Sequence, residues 1–413
     1  MKQKILISAF ACLPNWGSES GVGWHWVQEM SKYFELWVLV HKEQVVDIEK
    51  YVKENRLDNK IHFIYYDIPF NSLFFKNGIF RWVRLYYYFW TILSNKIVKK
   101  AMEENDIKIF HHLTFGNAIW NVSKYGRKQF FIWGPIGGME TIPADYTEHY
   151  DFKNRMIESV RRIVVKIISR QSSFKKRCHN ADLILCKTVD TQLSIPVQYR
   201  SKSVIFTDVA VETINAVAKS NAKNNTIIDY IAVGHLDAWR GFDLLIESFN
   251  EALKSSKDIR LTILGEGVFR PHLKGLINKY GIKDKVTLKG RVSKNEYDKL
   301  LSKCDVVVNS CLKEGAVTVS FDCMRYGKPL ICIDTGGFTQ YFSAEYSIVL
   351  PKQSRESMIK SLSASILKLT DRDLRNRMGA ISRTMGDQFS WERKGEQIRD
   401  VIMEAYNKRI KQT

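Results

Sequence analysis

The sequence contains no apolar stretch that approaches bilayer-spanning length, so any membrane contact is expected to be peripheral. It has no C-x-x-C pair either. Its seven cysteines, Cys12, Cys178, Cys186, Cys304, Cys311, Cys323 and Cys332, are scattered and odd in number, which fits reduced thiols in the cytoplasm better than a disulfide framework. Repeats and low-complexity tracts are missing, which excludes a solenoid and extended disorder. Acidic residues are in short supply: 44 Asp and Glu against 63 Lys and Arg leave a net charge of +19. A surplus of that size answers an anionic partner, whether nucleic acid, a phosphorylated substrate or an acidic membrane surface. The apolar run within residues 1–12 is short for a signal peptide and reads as a first buried strand.

What is present is an ordinary globular balance, 45% hydrophobic and 26% charged over 413 residues, enough for two domains with a full core each. Short apolar runs alternate with longer periodic segments, the rhythm of parallel strands covered by helices on both faces. Strands are predicted over residues 4–8, 36–40, 61–65, 107–111, 129–133 and 183–186, with one helix opening near Val22. The rhythm restarts at 227–233 and continues through 260–264, 285–289, 306–309 and 329–333. A polar stretch at 215–226 separates the halves. The expected division is an N-terminal domain over 1–212, a C-terminal domain over 213–390, and a closing helix within 391–413 that packs back toward the first domain.

Two segments of the first half stand outside this rhythm. Residues 154–177 carry eight Lys or Arg against one Glu, and at helical spacing Met156, Ile157, Val160, Ile163, Val164 and Ile167 share one face. Residues 73–100 mix Phe74, Phe75, Phe80, Trp82, Tyr86, Tyr87, Tyr88, Phe89 and Trp90 with Lys76, Arg81, Arg84, Lys96, Lys99 and Lys100. Aromatic bodies with basic neighbours suit a membrane interface; a core-facing helix with a solvated basic face is the alternative.

Three strand exits in the first half are candidate ligand walls. Gly17-Ser18-Glu19-Ser20-Gly21-Val22-Gly23 is a Gly-rich turn before a helix, where backbone N–H groups can approach a phosphate. Its spacing is neither the dinucleotide fingerprint nor a Walker loop. Phe110-His111-His112-Leu113-Thr114-Phe115-Gly116-Asn117 ends another strand, and histidine there can act as a base or bind a sugar hydroxyl. No acid or thiol lies at metal-ligand spacing beside the pair. The third exit is Trp133-Gly134-Pro135-Ile136-Gly137-Gly138.

In the second half, Gly234-His235-Leu236-Asp237-Ala238-Trp239-Arg240-Gly241 leads from a strand into a helix, and Gly265-Glu266-Gly267 follows the next strand. Arg240 offers a guanidinium that can grip a diphosphate bidentately, or it is an exposed arginine at a helix start. Further on, Glu314 precedes a helix carrying Asp322, eight residues later and about two turns along one face. Paired acids of this kind can hold sugar hydroxyls. The run closes at Thr335-Gly336-Gly337.

These residues resemble the retaining family 4 glycosyltransferases of GT-B fold, over nearly the whole chain. The resemblance implies an α/β architecture of two doubly wound Rossmann-like domains facing a central cleft. It assigns nucleotide-sugar donor binding to Gly234, His235, Arg240, Gly265, Gly267, Arg291, Val292, Glu314, Gly315, Ala316, Val317 and Asp322. Glu314 would approach the transferred sugar and Asp322 the ribose hydroxyls. The acceptor side would comprise Gly17, Ser18, Glu19, Gly21, Gly137 and Gly138. His111 or His112, with Glu314 and Arg240, would carry the chemistry. This sequence departs from the family's pattern in having His235 and Arg240 where Arg and Lys are usual, and Asp322 where Glu is usual. His235 carries charge only when protonated, so either the diphosphate favours that state or Arg240 bears more of the load.

The resemblance further implies retaining transfer from a UDP- or GDP-sugar with no metal or other cofactor. A lipid-linked or oligosaccharide acceptor is expected, as in assembly of capsule, exopolysaccharide or lipopolysaccharide at the inner face of the plasma membrane. A sugar-nucleotide epimerase of the same fold and a non-catalytic nucleotide-sugar-binding relative are the alternatives. Nucleic acid is not an expected partner, because no recognisable motif accompanies the charge.

Overall fold

The computed structural model describes residues 2–57, 61–76, 79–80, 82–123, 129–212, 226–313 and 318–412. Its strands are β1 (Lys4–Ser8), β2 (Glu35–His41), β3 (Ile61–Tyr66), β4 (Phe75–Lys76), β5 (Ile79–Phe80), β6 (Ile109–His112), β7 (Phe130–Ile136), β8 (Leu183–Cys186) and β9 (Ser203–Ile205), then β10 (Ile228–Val233), β11 (Ile259–Leu264), β12 (Val286–Gly290), β13 (Val306–Asn309), β14 (Leu330–Ile333) and β15 (Ser347–Leu350). One sheet has the order β3-β2-β1-β6-β7-β8-β9 and the other β12-β11-β10-β13-β14-β15. Every registered pair in both is parallel. Apolar side chains therefore have to be covered on both faces, and runs such as Ile5-Leu6-Ile7 and Val306-Val307-Val308 are almost wholly buried. Strands β4 and β5 form a short antiparallel ribbon.

Both sheets reverse their winding once. In the first, the chain passes β1, β2, β3 and then returns to β6 beside β1; in the second, it passes β10, β11, β12 and returns to β13 beside β10. The carboxyl ends of those adjacent pairs diverge into loops that leave in opposite directions, which is where open α/β sheets take their ligands.

The chain divides into two compact units. Unit one comprises Met1–Met139, Ile167–Asp208 and Trp391–Thr413; unit two comprises Glu140–Lys166 and Val209–Ser390. A single cut at 212/213 therefore misses the excursion of residues 140–166. Ile142, Tyr146 and Tyr150 are buried in the unit-two core. The Tyr146 hydroxyl donates to the Gln353 carbonyl and the Tyr150 hydroxyl to that of Ala238, both at 2.8 Å. No shift in composition marks this excursion, because its anchors are isolated aromatics.

Several local expectations change. The helix expected near Val22 runs Ser18–Tyr33, so Glu19, Gly21 and Gly23 lie in its opening turns rather than in a loop. Strand β7 continues through Gly134 and Pro135 with a register shift, leaving only Gly137 and Gly138 beyond it. The basic segment is two helices, Phe152–Arg170 and Ser172–Asn180, separated at the extended Gln171. Strands β9 and β15 escaped the sequence pattern because both are short edge strands, mostly half-buried.

Candidate active site

In unit two, the exits of β10, β11 and β12 enclose a cavity of about 360 Å3. Its wall includes Gly234 and His235 after β10, Gly265 and Glu266 after β11, and Arg291 and Val292 after β12. The volume lies in the range of small-molecule sites. Gly265 has φ +139, and a Cβ there would stand 1.9 Å from the Gly234 carbonyl oxygen, so only glycine lets these two loops meet. At Gly267 a Cβ would stand 2.4 Å from the Leu236 carbonyl oxygen. The His235 ring is exposed, and its Nδ1 lies 3.1 Å from the Asp237 carboxylate. The Arg240 stem lies against Gly234, and its guanidinium sits 4.1 Å from the Trp239 ring centroid.

The β12 side of the wall continues into the helix Lys294–Lys303, capped by the Ser293 hydroxyl, which accepts from the Glu296 amide. Lys294 and Tyr297 from this helix complete the lining. Behind Tyr297 lies Asp322 on the helix Thr318–Tyr326, 5% exposed, with Oδ2 accepting from the Tyr297 hydroxyl at 2.5 Å. Burial pushes the Asp322 carboxyl up to about 6, against the Tyr297 hydrogen bond and the Lys294 charge, which pull it down. Asp322 thus reaches the cavity wall through Tyr297.

The second switch point, between β10 and β13, is closed by hydrogen bonds. Ser310 Oγ donates to the Arg240 carbonyl at 3.0 Å, and the Leu312 amide to the Trp239 carbonyl at 3.0 Å. Next along the chain, the Lys313 ammonium is paired with Glu158 of the helix Phe152–Arg170, both side chains largely buried. Glu158 is the single acid of that basic segment, and its partner adjoins Glu314. Glu314, Gly315, Ala316 and Val317 themselves lie outside the described residues.

In unit one, the loops after β1, β6 and β7 converge around the other switch point. The Ala11 amide donates to Thr114 Oγ1 at 3.1 Å, and the Phe115 amide to Glu19 Oε1 at 2.5 Å. Burial pushes the Glu19 carboxyl up, opposed by Lys187 and by the Phe115 amide. Gly17 precedes the helix that begins at Ser18. A Cβ on Gly21 would stand 1.9 Å from the Trp16 carbonyl oxygen. Asn117 bridges to Gly137, and Gly138, at φ +96, sits under the Asn117 side chain.

His111 and His112 occupy successive positions in β6, so their side chains point to opposite faces of the sheet. Both rings are buried. His111 Nε2 donates to the Gly134 carbonyl at 2.6 Å, while His112 Nε2 pairs with the Tyr87 hydroxyl at 2.8 Å. Burial lowers the two pKa values to about 4 and about 3. Each is therefore neutral at pH 7, as a hydrogen-bonding ring rather than a cation. The expectation of a strand-end histidine open to a ligand is not met by either ring as it stands.

Residues 213–385 match the family described as glycosyl transferases group 1. The C-terminal half of this chain resembles that family. Among curated proteins, it is 27% identical over 174 residues to the alpha-D-kanosaminyltransferase of Streptomyces kanamyceticus, covering 42% of this chain and 44% of that protein. It is 25% identical over 189 residues to a Campylobacter jejuni N-acetylgalactosaminyltransferase named for a diphospho-undecaprenol acceptor, covering 44% of this chain and 50% of that protein. The matched stretch spans about half the length of these relatives. Among solved structures, Anabaena HepE in complex with UDP and glucose has the same fold, with a TM-score of 0.57, 14% identity, and coverage of 97% of this chain and 100% of that one. The fold is GT-B.

Within the matched stretch, the cavity gathers Gly234, His235, Gly265, Arg291 and Val292 from the residues expected on the donor side. Arg240, Gly267 and Asp322 stand immediately behind its wall. Sequence reasoning named Glu266 within its strand exit without giving it a role, and missed Lys294 and Tyr297. Ser293-Lys294-Asn295-Glu296 has the form of a helix-capping box, which would have placed Lys294 and Tyr297 in the first turns of a helix after β12.

Proposed function

We propose that the chain is a retaining, metal-independent glycosyltransferase that takes a sugar from a UDP- or GDP-sugar and adds it to a lipid-linked bacterial surface glycan, of the capsule, exopolysaccharide or lipopolysaccharide kind. The observation that carries this reading is the unit-two cavity, built by glycine-lined strand exits inside the stretch that matches the family. His235, Arg291 and Lys294 line it, and Arg240 lies against its Gly234 wall. Preorganised donors of this kind stabilise the negative charge that develops on a departing nucleoside diphosphate. The UDP in the Anabaena structure favours a uridine donor. Glu314 is assigned to the transferred sugar by the resemblance of the Glu314 and Asp322 pair to that of the family. Gly17, Ser18, Glu19, Gly21, Gly137 and Gly138 are assigned to the acceptor side in unit one by the family resemblance, with His111 or His112 beside the reacting sugar once a buried ring is uncovered.

The undecaprenol named for the Campylobacter relative supports a lipid-linked acceptor. An exposed apolar stripe on the basic helix Phe152–Arg170 supports attachment to the anionic cytoplasmic face of the membrane. Among the described residues, no helix is long and apolar enough to cross a membrane.

A thermal-shift screen against UDP- and GDP-sugars tests the donor, with stabilisation by one of them the expected result. Glu314→Ala should then abolish transfer while the melting temperature stays near wild type, and a chelator should leave turnover unchanged. Full activity in Glu314→Ala would remove the central assignment.

A further inference from the structure

The loop that follows β6 holds a strained aromatic residue for which neither the family match nor the unit-two cavity accounts. Phe115 has φ +55, a left-handed conformation that bulky side chains rarely adopt and that persists only where the surroundings enforce it. Its amide donates to Glu19 Oε1 at 2.5 Å. The neighbouring backbone is tied to the β7 exit: the Gly137 amide donates to the Gly116 carbonyl and the Ala118 amide to the Gly137 carbonyl, both at 2.9 Å. The Phe115 ring thereby rests on a floor of buried aromatics, its centroid 4.8 Å from that of Phe10 and 4.6 Å from that of Tyr87, whose hydroxyl pairs with His112. Trp120 stands 5.1 Å away, with the two ring planes at 39°. Phe10 and Tyr87 are buried, whereas Phe115 and Trp120 are each half-buried and keep part of their surface open. The rim is polar. Asn117 and Asn121 lie half-buried in the same loop, and the exposed Arg84 places its guanidinium 5.9 Å from the centre of the Trp120 ring.

We propose that Phe115 and Trp120 form a stacking platform for a sugar ring of the acceptor, with Arg84 meeting a phosphate attached to that sugar. This rests on the reading of unit one as the acceptor side. A pyranose has an apolar C–H face that packs on an aromatic ring, and a belt of hydroxyls that needs amide and charged partners. Both kinds of surface are present here. A hydrocarbon chain on the same rings would press apolar atoms against Arg84, Asn117 and Asn121, at a cost in desolvation. The platform is continuous with the Gly137 exit, and His112 lies behind Tyr87, at the switch point between β1 and β6. The backbone strain at Phe115 fixes its ring in place before the sugar arrives, which lowers the entropy lost on binding.

Isothermal titration of the full chain provides the test, with UDP or GDP at saturation so that sugars do not enter the unit-two cavity. The probes are the methyl glycosides of glucose, galactose, mannose, N-acetylglucosamine and N-acetylgalactosamine, and the 1-phosphates of the same sugars. At least one 1-phosphate should bind the wild type, several-fold more tightly than its methyl glycoside. Phe115→Leu and Trp120→Leu keep apolar bulk but lose the flat ring, and each should weaken that binding about 5–10-fold, the worth of one aromatic contact. Arg84→Gln, at an exposed position, should remove the advantage of the phosphate and leave the methyl glycoside unaffected. The thermal shift with nucleotide should match wild type in all three, which shows that each is folded. Sugar binding unchanged in both leucine variants overturns the platform, and a phosphate advantage that survives Arg84→Gln overturns the role of that residue. A wild type stabilised by nucleotide that binds none of the ten probes overturns the proposal and leaves the donor reading standing. Sugar binding without any nucleotide stabilisation has the reverse meaning.

Discussion

Asp322 shows how a single side chain can be held ready at a cost in stability. Its carboxyl is pushed from 3.8 up to about 6 by burial, with Glu212 adding to the rise and Tyr297, Lys294 and Arg325 opposing it. A carboxyl raised in the folded state favours folding below its unfolded pKa near 4, and that advantage is lost as the pH rises through about 6. Two units correspond to about 3 kcal/mol at most. Asp322→Asn keeps an oxygen to accept from Tyr297 but carries no charge. Thermal unfolding should therefore find it more stable than wild type at pH 8 and similar at pH 4, and equal stability at both would show that the site tolerates the ion without cost. His111 and His112 have the opposite sign: their depressed values give stability above pH 6.5 that is lost as the pH falls toward 4. The residue identities were legible in the sequence. Which face each histidine takes, and that Tyr297 stands in front of Asp322, depend on strand register and on the meeting of two helices remote in sequence.

The helix Phe152–Arg170 is the element whose role the structure changes most. Its periodicity was readable, but periodicity does not say whether an apolar face points inward. Met156, Val160 and Ile163 are 51%, 52% and 59% exposed, and Phe152, Ile157 and Ile167 are exposed beside them. Glu158 turns the other way, to Lys313. The anchored face is thus the polar one, held also by Arg161 to the Glu140 carbonyl and Arg162 to that of Ile142. The aromatic segment behaves differently, since Phe74, Tyr86, Tyr87 and Trp90 are core while Trp82, Leu85 and Tyr88 are exposed. An outward apolar stripe flanked by Lys153, Lys166 and Arg170 suits insertion among anionic headgroups. Ile163→Glu should cut flotation with anionic liposomes several-fold and leave nucleotide-dependent thermal shifts unchanged; undiminished flotation would assign membrane contact elsewhere.

At the scale of the whole molecule, the net charge of +19 would make the proposed membrane binding electrostatic as well as apolar. Liposome binding should weaken steeply between about 0.05 and 0.5 M salt, as the Debye length shrinks from more than 10 Å to a few Å. Binding indifferent to salt would mean that the apolar stripe acts alone. Composition, the strand-helix rhythm and the spacing of glycines and acids by themselves determined two parallel sheets, the approximate position of nearly every long strand, and the likeness of the C-terminal half to the group 1 glycosyl transferases, because these depend on residues close together in the chain. Tertiary structure alone decided that residues 140–166 belong with unit two, that the basic helix turns its apolar face outward, and that Tyr297 intervenes between Asp322 and the unit-two cavity. Each of those outcomes depends on partners more than twenty residues away, for which a local pattern carries no record.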